Sequence, residues 1–336
     1  MTKSYPSNQV RFVIRADAYA KSGAGHVMRS SVIAEELISR GFEVVFIGET
    51  YEIPWLNEYL DGLGFSQVFS APGKFTSNPN SDVLILDSYD IDPSMPFIQS
   101  VNWSKVVVLV DDQTPAFTGD LYVHAGSGTS WKPPISSREA DFLSGIEYFL
   151  IRKSLRNLPM ERKLKKNSKL QILISGGGSD PFRFSEEMYK ILRTSQTDFD
   201  AKILGPEFII EDFDTRFRFL RMGREYESEL LETDLVFTTA GTSSWEFLYL
   251  GLTSGIACAI PNQTANYKFQ VDASYGAGIG ERDSLGVWRI DPKIIHNLLL
   301  ANNSKKALVT PKETFVIGQR FLNLVNHIIQ PPSRVF

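Results

Sequence analysis

"VRFVIRADAYAKSGAGHVMRSSVIAEELISRGFEVVFIG", residues 10–48, decides the fold. Its first seven residues, apolar but for Arg11 and Arg15, read as a buried strand, and "EVVFIG", 43–48, as a second. Between them Ser30, Ile33, Ala34, Leu37 and Ile38 recur at helical spacing, and Gly41 ends the pattern. Strands that are apolar throughout, rather than alternating, are covered on both faces. That is the mark of a parallel sheet wrapped in helices.

The same grammar continues outward. "EIPWLNEYLDGLG" reads as a short helix, and "DVLILD" (82–87) and "KVVVLVDD" (105–112) as strands ending in aspartate. A basic, proline-containing stretch at 152–168 reads as an exposed linker. Beyond it the pattern restarts with the strand "KLQILIS" (169–175), the loop "GGGSDP" and the helix "FRFSEEMYKILRTS". Further strands are expected at "DAKILG", "RFRFLRM", "TDLVFTTAG" and "TSGIACAI". The expected architecture is α/β: two Rossmann-like domains, 1–155 and 168–336, with parallel sheets facing a cleft. The final helical stretch, "TFVIGQRFLNLVNHIIQ", either closes the second domain or crosses back to the first.

Bulk properties bound the function. The chain of 336 residues is 43% hydrophobic, enough for two cores. A net charge of −4 argues against nucleic-acid binding, which favours a basic surface. The single cysteine, Cys258, leaves no intramolecular disulfide and reads as a buried thiol in "GIACAIP". No run approaches the roughly 20 apolar residues of a membrane span, and "MTKSYPSNQV" lacks a signal-peptide core. A cytoplasmic protein without membrane insertion is expected.

Ligands of open parallel sheets bind at the carboxyl ends of strands, so a few loops carry the candidates. Gly177, Gly178 and Ser179 lie in a glycine-rich loop before a helix, suited to an anion. Asp180 in the same loop reads as a helix cap with Pro181 in the first turn, or as part of the site. In "TTAGTSSWEFLYLG", Ala240, Gly241, Thr242, Ser243 and Ser244 precede or open another helix and could hold a diphosphate. Ser243 and Glu246 also fit a capping box; otherwise Glu246 could bind a ribose diol. Asn262 and Gln263 either cap a helix or present amides to a sugar. Asp87, Ser88 and Tyr89 sit at one strand end, Asp111 and Asp112 at another. With no histidine or third acid near in sequence, no metal is expected. No cofactor is expected either: neither half carries a full G-x-G-x-x-G fingerprint, which disfavours a nicotinamide enzyme. His296 and His327 read as ordinary surface or interface residues, and His124 as a strand-end residue bordering the cleft or merely structural. His26 is the sharpest candidate. It lies at the N-terminus of the first helix, which disfavours imidazolium, while a bound diphosphate or Asp17 would favour it; a neutral ring there can take a proton.

Taken together, "RADAYAKSGAGHVMRSSVIAEELISRGFEVVFIGE", "LDSYDID", "VVVLVDD", "YFLIRKSL", "ISGGGSDP", "AGTSSWEFLYLG" and "PNQ…GAGIG" follow the segment order of one family, which the chain resembles over most of its length. These are the UDP-2,4-diacetamido-2,4,6-trideoxy-β-L-altropyranose hydrolases of pseudaminic acid synthesis, related to spore-coat polysaccharide proteins. The resemblance implies the GT-B architecture of MurG-type glycosyltransferases, with water as acceptor and UDP held mainly by the C-terminal domain. It implies that His26 activates water, that Asp17 and Tyr89 line the sugar site, and that Arg15 and Gly25 belong to the substrate site. Gly241, Thr242, Ser243 and Glu246 match the UDP segment, with Glu246 on the ribose, and Asn262 and Gln263 the amides near sugar or phosphates. Tyr19 replaces a small hydroxyl residue of the family and Ser88 a histidine. These departures bear on the sugar more than on the nucleotide. The expected activity is hydrolysis of a UDP-linked di-N-acetylated 6-deoxy amino sugar. A GT-B glycosyltransferase and a non-catalytic nucleotide-sugar-binding protein are the alternatives.

Overall fold

The computed structural model describes residues 10–19, 23–135, 140–158, 169–220, 224–303 and 316–331. The part of the expected linker from 159 to 168 lies outside the described residues. Two units are present, each with its own sheet.

The first unit contains β1 (Arg11–Ala16), α1 (Gly25–Ser39), β2 (Glu43–Ile47), α2 (Pro54–Asp61), β3 (Gln67–Phe69), β4 (Val83–Asp87), β5 (Lys105–Leu109), β6 (Leu121–His124) and β7 (Asp141–Ser144). The short helix α3 (Lys153–Arg156) spans the sequence boundary with the second unit. Strand order is β3-β2-β1-β4-β5-β6-β7, and every described pairing is parallel. Burial explains why β1, β2, β4 and β5 are so apolar. Phe12, Ile14, Phe46 and Ile85 pack in one core with α1 and α2, while Val13, Val45, Leu84 and Val106 pack in another with Trp103 and Tyr122. Helix α1 buries Ser30, Ile33, Ala34 and Leu37 of the stripe read from the sequence and half-buries Ile38; Val27 and Val32 are buried besides. It stops at Gly41, whose φ of +83° belongs to the left-handed region that glycine enters without strain.

The second unit contains β8 (Leu170–Ser175), α4 (Phe184–Leu192), β9 (Phe199–Leu204), β10 (Phe217–Leu220), α5 (Arg224–Glu232), β11 (Leu235–Thr239), α6 (Thr242–Tyr249), β12 (Thr253–Cys258), α7 (Thr264–Asp272), β13 (Ala277–Arg282), β14 (Trp288–Ile290) and α8 (Pro292–Asn303). Its order, β10-β9-β8-β11-β12-β13-β14, repeats that of the first sheet, and among the described residues only the terminal β13–β14 pair is antiparallel. In both sheets the order reverses beside the unit's first strand. The topological switch points therefore lie between β1 and β4 and between β8 and β11, the positions where such sheets leave room for a ligand.

The expected second domain, 168–336, needs correction at its far end. Helix α9 (Phe321–Ile329) belongs to the first unit. Phe321, Leu324, Val325 and Ile328 join the core that contains α1. Lys105, 2% exposed in β5, donates its ammonium to the carbonyls of His327 at 2.7 Å and Gln330 at 2.9 Å, satisfying the end of α9. His327, expected as a surface or interface residue, is partly exposed and pairs with the exposed Asp141 at 2.8 Å. Burial pushes the Lys105 ammonium down to about 8, against the pull of Asp120 and Asp141. Lys105→Met is expected to lower stability by about 2 kcal/mol, the scale of hydrogen bonds from a charged donor. Chemical denaturation measures the loss, and faster amide exchange centred on α9 locates it.

Candidate functional site

The first switch point gathers the candidate chemistry. In the β1–β4 register Ala16 lies opposite Asp87, so the carboxyl end of β4 adjoins the start of the segment that leads into α1. Asp87 is fully buried. His26, in the first turn of α1, places Nδ1 2.5 Å from Asp87 Oδ1. Arg29, one turn further along α1, forks onto the same carboxylate, Nε to Oδ2 and Nη2 to Oδ1, each at 2.6 Å. Its third nitrogen, Nη1, lies 3.3 Å from Asp111 Oδ2 after β5. The Tyr89 hydroxyl donates to that same Asp111 oxygen, and the Tyr89 ring stands edge-on to His26 with centroids 4.2 Å apart.

The electrostatics of this cluster are consistent. Burial disfavours the Asp87 carboxylate, yet Arg29 and His26 outweigh it and hold Asp87 below the usual carboxylate value. Burial likewise opposes the Arg29 charge, but Asp87, with Asp111 behind it, holds the guanidinium above its ordinary value. Tyr89 is pushed up by burial, with Asp111 adding to the effect against Arg29, so it stays a neutral donor. An ionised Asp87 only accepts hydrogen bonds. The proton in the His26–Asp87 bond therefore belongs to Nδ1, and a neutral His26 has its lone pair on Nε2. His124 ends β6 close to this group. It is buried, its Nδ1 is 3.2 Å from Ser144 Oγ, and burial followed by the Arg29 charge pushes it down.

Asp17 hydrogen-bonds elsewhere. Its Oδ1 accepts from Arg15 Nη1 at 2.5 Å and from the Glu49 N–H at 2.9 Å, pinning the end of β1 to the chain after β2. Arg15 and Asp17 are thus both buried and mutually neutralised. Tyr19 beside them is pushed up to about 12 by burial and by the charges of Asp17 and Glu49. Gly25 is the exposed first residue of α1. Ser88 is buried, and its Oγ accepts the Asp90 N–H. Asp111 and Asp112 diverge: Asp112 Oδ1 turns to the hydroxyls of Thr129 and Ser130.

The two glycine-rich loops of the second unit differ. After β8, the Asp180 carboxylate folds back and accepts the N–H groups of Phe184 and Ser185, both at 2.9 Å. A Cβ on Gly176 would lie 1.9 Å from Asp180 Oδ1, so the loop needs glycine there. The cap reading of Asp180 is the one the geometry carries, but α4 begins at Phe184, past Pro181. The opening N–H groups of α4 face an internal carboxylate. Gly177, Gly178 and Ser179 therefore lack the positive helix end expected behind them. Asp180→Ala is expected to cost about 2 kcal/mol, and Asp180→Asn distinctly less. The loss combines the missing cap with an alanine at a φ of +40°. Thermal unfolding of the two variants tests the ranking.

After β11 the arrangement is open. Gly241 is the N-cap of α6, with no side-chain cap and no acid in the first turn. Ser243 lies inside the helix, so the Ser243–Glu246 capping box, one of the two readings of that pair, does not form. The buried Ser244 hydroxyl is committed internally: it donates to Gly241 O at 2.7 Å and accepts from Gln270 Nε2 at 2.9 Å. Thr242 opens the helix, Glu246 is 6% exposed a turn further in, and Ala240 is fully buried. Gln263 accepts the Ala259 N–H through Oε1 at 3.0 Å. Its Nε2 lies 3.5 Å from where a Gly241 Cβ would be, so the amide donor stands beside the α6 opening. Asn262 is exposed on the same turn.

Sequence reasoning identifies Asp87 and Asp111 without partners and passes over Arg29. The local signal for Arg29 is its spacing of three from His26, which puts both on one helix face. Nothing local connects His26 to a residue 61 positions away.

No protein-family model matches the chain. Among curated proteins it is similar to the "Uncharacterized protein MJ1062" of Methanocaldococcus jannaschii, 26% identical over 270 residues. That match spans 72% of this chain and 54% of the relative, so it covers only about half of that protein's length. Among solved structures it is similar to Acinetobacter baumannii MurG, with a TM-score of 0.55, 14% identity and coverage of 95% of this chain and 98% of that one. It is also similar to Arabidopsis thaliana UGT89C1 complexed with UDP, with a TM-score of 0.61, 12% identity and coverage of 95% and 100%. The spinosyn forosaminyltransferase SpnP gives 0.60, 12%, 96% and 100% in the same order. At these identities the likeness establishes the fold: the chain has the GT-B fold of glycosyltransferases, one Rossmann-like sheet in each unit.

Proposed function

We propose that the chain hydrolyses a UDP-linked di-N-acetylated 6-deoxy amino sugar, releasing UDP and free sugar for nonulosonic acid synthesis, with His26 as the base. The observation that carries this reading is the His26–Asp87 pair at the first switch point. It is a ring with its Nδ1 proton held by a buried carboxylate and its Nε2 left basic. In the proposed step Nε2 takes a proton from water as the water oxygen bonds to the anomeric carbon. The bond from that carbon to the phosphate oxygen breaks on the opposite face, and its electron pair leaves with UDP. Asp87 stabilises the imidazolium that forms. Asp17, locked to Arg15 and Glu49, acts in this reading by fixing the segment that leads to His26. The nucleotide falls to the second unit, where the uncapped start of α6 and the Gln263 amide offer donors to a diphosphate. Glu246 is the candidate for the ribose.

A second reading is favoured by the names of the structural neighbours, several of which are glycosyltransferases. There the same Nε2 would deprotonate a sugar or other hydroxyl acceptor. Incubation with a panel of UDP- and CMP-sugars in water, without acceptor, followed by phosphorus NMR, separates the readings. Free UDP and free sugar at enzymatic rates support hydrolysis. UDP release that requires an added acceptor supports transfer, and binding without turnover supports a non-catalytic protein. Among the described residues no helix is long and apolar enough to cross a membrane.

A further inference from the structure

Asp87 serves two partners at once, the Arg29 guanidinium and the His26 ring, and the geometry separates what each receives. It is buried completely, so its charge is not relieved by water. If His26 were its only partner, the pair would be most stable with the ring protonated, because an opposite charge at hydrogen-bonding distance favours the charged form. A ring held as imidazolium cannot accept a proton. Arg29 changes that balance. Its fork places two 2.6 Å bonds on the carboxylate, and its charge is permanent. Arg29 Nη2 also lies 3.3 Å from His26 Nδ1. With Asp87 at 2.5 Å engaging the Nδ1 proton, that approach is a contact between donors, and it penalises positive charge on the ring.

We infer that Arg29 is a positioning residue that keeps His26 neutral and its proton on Nδ1, by giving the buried Asp87 carboxylate a permanent counter-charge. The remaining groups around the ring fit this assignment. Tyr89 packs on His26 as a neutral hydroxyl. Asp111, from the strand beyond, is a quarter exposed and anchors both the third guanidinium nitrogen and the Tyr89 hydroxyl. His124 feels the charges of Arg29, Asp111 and Asp112, and burial followed by the guanidinium holds it towards its neutral form. Arg29 therefore needs no contact with substrate to matter for reactivity.

The inference rests on the proposed role of His26, but its test does not require turnover. Nitrogen and proton spectra of histidine-labelled protein, with His26 identified by comparison with His26→Asn, report the ring directly. In the parent protein at about pH 7.5 the ring is expected to be neutral with the proton on Nδ1. A protonated ring, or a proton on Nε2, overturns the inference without recourse to any variant at Arg29. In Arg29→Gln the titration midpoint of His26 is expected to rise by about one to three pH units relative to the parent. Arg29→Lys keeps the charge but loses the fork, and should rise less. A midpoint that stays put in a folded Arg29→Gln overturns the inference. The rising limb of the pH–rate profile should move up by the same interval. If the midpoint moves and the rate profile does not, Arg29 governs the ring as inferred, and it is the assignment of His26 as the base that fails.

Discussion

Asp87→Asn is expected to cost about 3–5 kcal/mol of stability and to lower turnover by about 10²-fold or more. The stability loss arises because Arg29, forked onto Asp87 in the native structure, is left as a largely buried charge without its main counter-ion. The loss of turnover has a separate cause. An amide facing His26 no longer requires the ring proton on Nδ1, and the tautomer with its proton on Nε2 has no lone pair there to deprotonate water. pH separates the two effects. Arg29 and His26 hold Asp87 below the usual carboxylate value against its burial. The stabilisation is thus fully present above the unfolded carboxylate's value of about 4 and is lost as pH falls through the lower folded one. Denaturant unfolding in that acid window should show the parent losing stability more steeply than the variant. Parent-like turnover in Asp87→Asn would remove the orienting role proposed for this carboxylate.

His26→Asn is expected to reduce turnover by about 10²-fold or more, the usual scale for a lost general base. UDP binding should be nearly unchanged, because the donors proposed for the diphosphate, Gln263 and the start of α6, belong to the second unit. Titration calorimetry with UDP, beside the acceptor-free turnover assay, measures both quantities on one preparation. Normal turnover excludes His26 as the base. A matching loss of UDP affinity would instead mean that the ring contributes to nucleotide binding.

The helix–strand alternation was legible because β1, β2, β4, β5, β8 and β11 are interior strands of their sheets and are mostly apolar and buried. The edge strands of the first sheet were not, although the edge strand β10 of the second was read in "RFRFLRM". In β3, Gln67 and Val68 are exposed, and β7 begins and ends with exposed Asp141 and Ser144, so neither carries an apolar run to read. At the site, the local features read in part: His26 lies in the first turn of α1, one residue after its start at Gly25, and Asp180 caps α4 from three residues before its N-cap Arg183. What could not be read was pairing. His26 meets Asp87 because β4 lies beside β1 in a register that sets Asp87 against Ala16, a fact of sheet order that no spacing encodes. The capping box failed for a related reason. The helix begins earlier than the motif requires, at Thr242 rather than after Ser243, and Ser244 is drawn into the interior by Gln270 from α7.

Helix α9 gives the chain an order of assembly. On a ribosome, every strand of the second unit emerges before the helix that completes the first. The apolar surface over α1 that Phe321, Leu324, Val325 and Ile328 will cover stays bare through all of that synthesis. The half bearing His26 is therefore begun first and finished last, and the later-made half can close its own core while the earlier one still waits.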